Sequence, residues 1–325
     1  MPELIPDYRH AWWLPGAHLP TIWGKKGRRQ PLVHDRLERW TTPDGDHISL
    51  ARVGTVSASR PHLLILHGLE GTTQSNYAQG LLSQAKSRGW SADLMLFRGC
   101  DGEINSSRRM YHSGETSDLD FVVRRLIASN PDVRLRLVGV SLGGNVLMKW
   151  LGEQGESLVS SVVRAAGVSV PFDLAAGSRF LECYLGQKYV DHFMKSLKAK
   201  TLAKRSRYPD LCDWDRMLNT KTFWDFDDVV TGPVHGFKGA LDYYTRSSSL
   251  NLLAAIRRPT LLFSAEDDPF LPVDVLNRVR KISTSNEFLH VHITRRGGHV
   301  GWTEGPPWDP SYYMEEFVVD WLSNE

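Results

Sequence analysis

Short apolar runs alternate with stretches of helical periodicity over most of this chain. The runs that predict strands are 62–66, 91–97, 134–140, 160–168, 259–264 and 288–293. Helical spacing predicts helices near 76–88, near 117–129 and over 142–153. Strands that alternate with helices are typical of a doubly wound, mostly parallel sheet, so the predicted fold class is α/β.

Two departures from this alternation divide the chain further. Segments 36–41 and 47–53 are predicted to pair as strands around a turn at 43–46. The segment after 170 loses the alternation and is rich in charged and aromatic residues, which favours a helical cap inserted between two sheet strands. The predicted organisation is an N-terminal arm at 1–36, a core in two parts at 37–170 and 251–325, and the cap at 171–250.

The composition is that of an ordinary globular protein. Of 325 residues, 41% are hydrophobic and 23% are charged, which is enough to build a large core. A net charge of +2 is too balanced to indicate a nucleic-acid partner. Three widely spaced cysteines give no disulfide framework and no metal pattern. Without a long apolar run or a signal-peptide pattern, we expect no spanning helix and a cytoplasmic location.

The predicted arm is irregular and contains Trp12, Trp13 and Trp23. Packing of the arm on the core is the favoured interpretation. An interfacial anchor is the alternative, because tryptophan is enriched at the lipid headgroup boundary.

The stretch Gly139–Gly143 fits the pattern G-x-S-x-G, with Ser141 at its centre. A predicted strand comes before it and a predicted helix follows. A serine on such a sharp turn exposes its hydroxyl above the sheet, and small neighbouring residues let the turn close. We therefore interpret Ser141 as a candidate nucleophile. A chance match is the alternative, because the pattern is short.

A serine nucleophile needs a base that takes its proton. His299 lies in a Gly-rich loop after the last predicted strand, where an imidazole can reach inward. His290 and His292 lie within that strand on one face, which favours packing or surface roles. His299 is therefore the candidate base.

The base needs a carboxylate that orients it, and two aspartates qualify. Asp267 and Asp268 both lie in the acidic loop after the strand 259–264. The spacing to Pro272 favours Asp268 as the orienting acid, with Asp267 as a support of the loop. The chain order of serine, aspartate and histidine is the order found in α/β-hydrolases.

A developing oxyanion needs two N–H donors. Leu142 follows the candidate nucleophile and supplies the first. Leu69, in the Gly-rich loop after the first core strand, is the candidate for the second. His67 is predicted to brace that loop. Arg98 and His112 could touch a substrate, but structural roles are favoured for both.

The predicted cap carries aromatic and charged residues whose roles the sequence leaves open. Its aromatic residues could shape a pocket over Ser141, although packing in the cap's own core is favoured for most. Six Lys or Arg residues from Lys195 to Arg207 favour a solvated helix face over attraction to anionic lipid. Helix or turn starts are favoured over a metal site for Asp225, Asp227 and Asp228. The aromatic residues are Tyr184, Tyr189, Phe193, Trp214, Phe223, Trp224, Tyr243 and Tyr244.

Nine short segments share the order and spacing of a known family. They are His18–Ile22, His67–Gly71, Phe97–Glu103, Tyr111–Thr116, Gly139–Asn145, Val168–Leu174, Pro233–Phe237, Asp267–Phe270 and Gly297–Gly301. Through them, nearly the whole chain resembles the YheT-like family of α/β-hydrolase esterases. The resemblance implies an α/β-hydrolase fold and a serine carboxylic-ester hydrolase, with Ser141 as nucleophile, His299 as base and one aspartate of 267–270. Eukaryotic relatives look membrane-tethered, and the lack of an apolar anchor here favours the bacterial, cytoplasmic branch.

The predicted reaction is hydrolysis of a short- or medium-chain acyl ester, or of a monoacylglycerol-like ester, through an acyl-enzyme. We expect a small ester or lipid as partner, no cofactor and no metal, and we leave peripheral membrane contact open. Acyl transfer to an alcohol would use the same residues. A non-catalytic binding protein is a third reading, disfavoured because every catalytic residue type is present.

Overall fold

A computed structural model describes residues 7–324, so the first six residues of the predicted arm lie outside the described residues. The strands are β1 (Arg36–Thr41), β2 (His47–Val53), β3 (His62–Leu66), β4 (Ser91–Leu96), β5 (Leu135–Val140), β6 (Val162–Val168), β7 (Thr260–Ala265) and β8 (Leu289–Thr294). A separate short pair is formed by β9 (Thr303–Glu304) and β10 (Ser311–Tyr312).

The eight long strands form one sheet in the order β1-β2-β4-β3-β5-β6-β7-β8. The β1–β2 and β2–β4 pairs are antiparallel, and the other neighbours are parallel. Each strand predicted from an apolar run is present, with bounds that differ by at most two residues. The α/β prediction is therefore confirmed.

Helices cover both faces of the sheet and fill the segment between β6 and β7. They are α1 (His18–Ile22), α2 (Asn76–Ser87), α3 (Ser117–Ser129), α4 (Leu142–Gln154), α5 (Leu174–Phe180), α6 (Tyr184–Ala203), α7 (Trp214–Asn219), α8 (Phe223–Phe226), α9 (Gly232–Val234), α10 (Ala240–Ser247), α11 (Val273–Ser283) and α12 (Tyr313–Ser323). Helices α5 to α10 all lie between β6 and β7 in the chain. Within residues 7–324, none of the helices combines the length and the apolar character that crossing a bilayer requires.

The side chains of β3 illustrate how the two-residue period of a strand builds two cores. Leu64 and Leu66 belong to an apolar cluster that also contains Val122 of α3 and Leu147 of α4. The alternate residue Ile65 belongs to a second cluster, with residues of α2 and α12. Since both faces are covered, β3 reads as an unbroken apolar run, as strands buried on both faces do.

Parallel strands point their carboxyl ends toward one edge of a sheet, where ligands of such folds bind. The loops after β3, β5, β7 and β8 leave the sheet at this edge, because these strands are mutually parallel. The same loops hold the candidate residues that the sequence singles out.

The arm packs on the core, as the favoured reading expects. The Ala11 N–H donates to the Thr303 carbonyl oxygen at 3.0 Å. The Trp13 ring meets the Trp23 ring edge-on at a centroid distance of 4.7 Å. Only Trp12 of the three tryptophans is largely exposed, at 73%.

A buried ion pair joins the arm to the last helix. Arg28 donates to the Glu315 carboxylate, and both side chains are almost fully buried. Burial raises the pKa of Glu315, and Arg28 opposes that shift. Removing one partner of a buried pair leaves an uncompensated charge.

We expect Arg28→Met to lower the free energy of unfolding by about 3 kcal/mol, measured by urea denaturation at pH 7. The double variant Arg28→Met/Glu315→Leu should recover most of that loss, because it removes both charges. A single variant as stable as the wild type would show that the pair does not anchor the arm.

The basic run from Lys195 to Arg207 covers the end of α6 and the turn after it, and the prediction of a solvated face is wrong for two of its members. Lys204 is only 3% exposed and donates to the carbonyl oxygens of Asn105 at 3.0 Å and Ser107 at 2.6 Å. Lys200 donates to the Glu70 carboxylate at 2.9 Å. These cations point inward because α6 lies over core loops that present oxygen acceptors. The exposed members are Lys195, Arg205 and Arg207.

Candidate active site

Ser141 sits on a sharp turn between β5 and α4. Its φ of 53° lies in the region that non-glycine residues rarely adopt, a kind of strain that is common at functional sites. The turn is too tight for larger residues: a Cβ on Gly139 would lie 2.4 Å from the Gly143 carbonyl oxygen. A Cβ on Gly143 would lie 2.5 Å from the His67 carbonyl oxygen. The backbone itself therefore requires small residues around the serine.

Three side chains from distant parts of the chain meet at the sheet edge. The Ser141 hydroxyl lies 3.0 Å from His299 Nε2 and donates to it when that nitrogen is unprotonated. In the same tautomer, His299 Nδ1–H donates to both carboxylate oxygens of Asp268, at 2.9 and 3.0 Å. Asp268 is 2% exposed and also accepts the Phe270 N–H at 2.9 Å. This arrangement can move a proton from the serine to the imidazole while a buried carboxylate fixes the ring.

The neighbouring aspartate has a different partner. Asp267 accepts the Gly298 N–H at 2.9 Å, on the loop that carries His299. Burial raises the pKa of Asp267, and the adjacent Asp268 adds to that shift. The structure thus places Asp268 on the imidazole and Asp267 on the backbone of the histidine loop.

The N-terminal arm supports the loop that carries His299. This contact was not predicted from the sequence. Thr21 Oγ1 accepts the His299 N–H at 2.8 Å. The approach is so close that a Cβ on Gly298, whose φ is +59°, would lie 2.5 Å from that same oxygen. The segment His18–Ile22 is among the motifs quoted above, and its similarity to a family pattern is the signal that could have indicated this contact.

An aromatic stack covers the imidazole on the cap side. The Phe270 ring stacks on the His299 ring at a centroid distance of 4.2 Å. Tyr189 of α6 contacts Phe270 at 4.9 Å, and its hydroxyl lies 3.0 Å from His18 Nδ1 in the arm. Cap and arm together therefore shield the imidazole from solvent.

The loop after β3 leaves one backbone donor available. The Gly68 N–H donates to the Tyr77 hydroxyl at 2.7 Å, and the Glu70 N–H donates to the Tyr111 hydroxyl at 2.9 Å. Between them, the Leu69 N–H has no acceptor within residues 7–324. Two tyrosines thus hold the loop from both sides of the predicted donor.

The second predicted donor, Leu142, is the first residue of α4. The first N–H groups of a helix have no partner inside it and favour negative charge. The two donor loops are close, because a Cβ on Gly68 would lie 3.2 Å from the Ser141 Cβ. The structure therefore brings both predicted donors to the side of the serine.

His67 braces the loop of Leu69. Its Nε2 accepts the Phe97 N–H at 3.1 Å, and its Nδ1–H donates to the Gly68 carbonyl oxygen at 2.7 Å. Burial lowers the pKa of His67 to about 4, so the ring is neutral near pH 7. Both ring nitrogens are engaged in fixed bonds, which suits a support and not a proton carrier.

Of the other candidates Arg98, His112 and His292, His112 alone lines the cavity over Ser141 within the described residues. Arg98 is buried and forms ion pairs with Asp46 and Asp118, which fits the structural role favoured for it. His112 lines the cavity described next, with a pKa well below the ordinary value because it is buried. His292 stacks on Phe263, away from Ser141.

A cavity of about 760 Å³ opens over Ser141 and His299. Its walls come from residues before β1, from loops that follow the strands and from the helices between β6 and β7. Trp214, Phe223, Trp224, Tyr243 and Tyr244 pack in the apolar clusters of residues 171–250, as the favoured core role expects. Five of the aromatic residues singled out in the sequence also line the cavity. These five are Tyr189, Phe193, Phe223, Tyr243 and Tyr244. The side chain of Tyr184 lies outside the described residues.

One carboxylate faces this cavity from the cap. Asp227 lies in a helical turn after α8 and accepts hydrogen bonds from the hydroxyls of Thr231 and of Tyr244, the latter at 2.7 Å. Burial raises the pKa of Asp227 to about 6. Of the aspartates considered for a metal site, Asp225 instead closes a capping box with Thr222 at the start of α8.

We expect Asp227→Asn to stabilise the protein at alkaline pH. The folded state binds more protons than the unfolded state between about pH 4 and pH 6, so its free energy of unfolding falls as pH rises through that window. Since the side chain is partly exposed to the cavity, we expect a gain of about 1–2 kcal/mol at pH 8 and none at pH 4. Urea denaturation at both pH values measures this. A difference in the free energy of unfolding between variant and wild type that does not grow with pH would contradict a raised pKa of Asp227.

The chain is similar to known proteins over most of its length. A family model described as alpha/beta hydrolase fold matches residues 61–306. YheT of Escherichia coli (strain K12) is 36% identical over 311 residues, covering 94% of this chain and 90% of YheT. The monoacylglycerol lipase of Saccharomyces cerevisiae is 28% identical over 84% of this chain and 61% of that protein. Phospholipase ABHD3 of Mus musculus is 28% identical over 89% of this chain and 74% of that protein.

Solved structures share the fold. An esterase from Pyrococcus furiosus superposes with a TM-score of 0.55 and 17% identity, covering 83% of this chain and 84% of that one. The acylaminoacyl peptidase of Pyrococcus horikoshii gives a TM-score of 0.54 and 13% identity, over 88% of this chain and 40% of that one. At such identities the similarity concerns the fold alone.

Proposed function

This chain belongs to the YheT-like family of α/β-hydrolase enzymes. We propose that it is a serine carboxylic-ester hydrolase that works through an acyl-enzyme. In this proposal Ser141 is the nucleophile, His299 the base and Asp268 the orienting acid. One observation carries it: the continuous hydrogen-bond chain from Ser141 through His299 to Asp268, with bonds of 2.9 to 3.0 Å.

The proposed reaction begins when His299 Nε2 takes the proton of the Ser141 hydroxyl. The oxygen attacks the ester carbonyl carbon, and the negative charge moves to the carbonyl oxygen. The N–H groups of Leu69 and Leu142 stabilise this oxyanion. His299 then returns the proton to the alcohol as the carbon–oxygen bond to the alcohol breaks. Water, deprotonated by the same imidazole, releases the acid and regenerates Ser141.

Asp268 supports this cycle without changing its own charge. Its carboxylate holds the tautomer in which Nδ1 carries a proton, and it stabilises the imidazolium that forms during both steps. The small exposed fraction of Asp268 favours this role, because the attraction between two charges is stronger away from water.

We further propose that residues 171–250 form a cap over the core parts 37–170 and 251–325, and that the cap helps to build an acyl pocket. Leu181, Leu197 and Phe226 of the cap line the cavity beside the aromatic residues. Apolar walls and a volume of about 760 Å³ suit an acyl chain. The names of the yeast and mouse relatives, a monoacylglycerol lipase and a phospholipase, agree with an acyl ester or a monoacylglycerol-like substrate.

A chain-length series of p-nitrophenyl esters from acetate to palmitate tests the proposal. We expect hydrolysis with a maximum at short or medium chains. Analysis of the products with and without added glycerol separates hydrolysis from acyl transfer. A folded wild-type protein that cleaves no ester of the series would contradict the proposed activity and favour a binding protein on a hydrolase fold.

A further inference from the structure

The cavity over Ser141 opens between two basic segments. Lys25 and Lys26 lie in the helical turn that follows α1, and His192 lies on α6. All three line the cavity and have exposed side chains, so they stand at its mouth. Lys25 Nζ lies 2.9 Å from His192 Nε2 and 4.8 Å from the centroid of the Phe193 ring.

The positive charge of the mouth lies on its two lysines, because burial and the nearby lysines lower the pKa of His192. Within residues 7–324, neither Lys25 nor Lys26 has a carboxylate at ion-pair distance. Glu70 lines the cavity next to Leu69, but its carboxylate already has partners. It pairs with Lys200 at 2.9 Å and accepts the Tyr111 hydroxyl at 2.6 Å. The positive charge at the mouth is therefore available for a ligand.

The charges at the mouth repel one another, which supports the same conclusion. Partial burial and then Lys26 lower the pKa of Lys25, and Glu70 partly opposes this shift. Burial, Lys25 and Lys26 lower the pKa of His192, and Lys195 contributes as well. Like charges held together cost stability unless an anion offsets them, and such arrangements concentrate at ligand sites.

The rest of the cavity has the opposite character. The cavity wall from residues 171–250 is mostly apolar, and the carboxylate of Asp227 lines the cavity from the helical turn after α8. An anion placed among the cap residues would meet both an apolar surface and that carboxylate. An acyl chain suits the cap wall, so a charged part of the substrate belongs at the mouth.

We propose that the mouth formed by Lys25, Lys26 and His192 binds a phosphate or carboxylate on the alcohol part of the ester. The inference rests on the proposed function and narrows its substrate class to anionic acyl esters. The acyl chain enters the cap pocket, the carbonyl reaches Ser141, and the anionic alcohol remains beside the lysines, from where it leaves after acylation.

A matched pair of lipids tests the proposal by activity. The pair is 1-dodecanoylglycerol and its 3-phosphate, both below their critical micelle concentrations. At low ionic strength, we expect wild type to hydrolyse the acyl ester of the phosphorylated lipid with a kcat/KM about tenfold higher than that of the neutral lipid. Salt above about 0.3 M should remove most of that preference. In Lys25→Gln/Lys26→Gln the ratio of kcat/KM for the phosphorylated lipid to that for the neutral lipid should fall to about one.

A control variant separates the site from general surface charge. Lys238 and Lys281 are exposed and do not line the cavity. Lys238→Gln/Lys281→Gln removes the same total charge, so it should keep the wild-type preference. Equal kcat/KM for the two lipids in wild type, or an equal loss of preference in both double variants, would overturn the proposal.

Binding measured without turnover distinguishes this proposal from the proposed function. We expect Ser141→Ala to bind dodecyl phosphate more tightly than 1-dodecylglycerol in calorimetry, and the added Lys25→Gln/Lys26→Gln changes should abolish that difference. Lysine-dependent binding in a protein that cleaves no ester would overturn the proposed function and keep the anion site. A phosphate preference seen only on anionic vesicles, and not with monomers, would assign the lysines to a membrane surface and overturn the proposal.

Discussion

Ser141→Ala is expected to lower kcat/KM for the best p-nitrophenyl ester by a factor on the order of 10⁴ or more. The Ser141 hydroxyl lies within hydrogen-bond distance of the His299 imidazole. The sharp turn, in which Ser141 has a positive φ, places this hydroxyl at the end of β5. Loss of the hydroxyl removes the atom that would form the acyl-enzyme, so only slow attack by water remains.

Ser169→Ala is the matched control for this variant. Ser169 directly follows β6, is also buried and has a similar φ of 48°. Within residues 7–324, its hydroxyl has one hydrogen bond, accepted from the Val300 N–H at 3.4 Å. We expect it to retain activity within about fivefold, because it removes one weak bond and no reacting atom. A Ser141→Ala protein that keeps more than about a hundredth of wild-type activity would contradict the assignment of the nucleophile.

The two adjacent aspartates should respond very differently to the same substitution. We expect Asp268→Asn to lower kcat by about 10³- to 10⁴-fold, because an amide no longer holds the productive tautomer or stabilises the imidazolium. Asp267→Asn should cost less than about tenfold, since its side chain still offers an oxygen to the Gly298 N–H.

Steady-state kinetics of both variants on one ester decides between them. Thermal unfolding of each protein is measured beside the kinetics, so that a loss of folding is not mistaken for a loss of chemistry. The reversed order, with Asp267→Asn the more damaging, would move the acid role to Asp267 and leave Asp268 as the support of the loop.

Much of the fold and of the candidate site could be predicted because the signals are local. The β5–turn–α4 sequence around Ser141 encodes its own geometry, since a Cβ on Gly139 or Gly143 would lie only 2.4 to 2.5 Å from a backbone oxygen. Apolar runs mark the strands, and the residues that follow the parallel strands must meet at one edge. This topology indicates His299 and the aspartate loop, and the spacing to Pro272 favours Asp268 over Asp267. In the structure His299 bonds to both Ser141 and Asp268.

Contacts between distant segments could not be predicted in the same way. The contact of Thr21 with the His299 backbone joins positions 278 residues apart, and no local pattern indicates it. Lys200 and Lys204 point inward, but they belong to a charged run of the kind that a solvated helix also shows. Only the core loops beneath the run distinguish inward lysines from solvated ones. The cap aromatics likewise face a cavity whose existence depends on how cap and core pack.

Labelling with a fluorophosphonate probe, followed by intact mass and peptide mapping, tests the central claim most directly. We expect one adduct on wild type, located on Ser141, with no adduct on Ser141→Ala and little on His299→Ala. Such a result would establish a serine activated by its histidine. A folded wild-type protein that takes no adduct, or an adduct that maps to another residue, would contradict the role of Ser141 as the activated nucleophile.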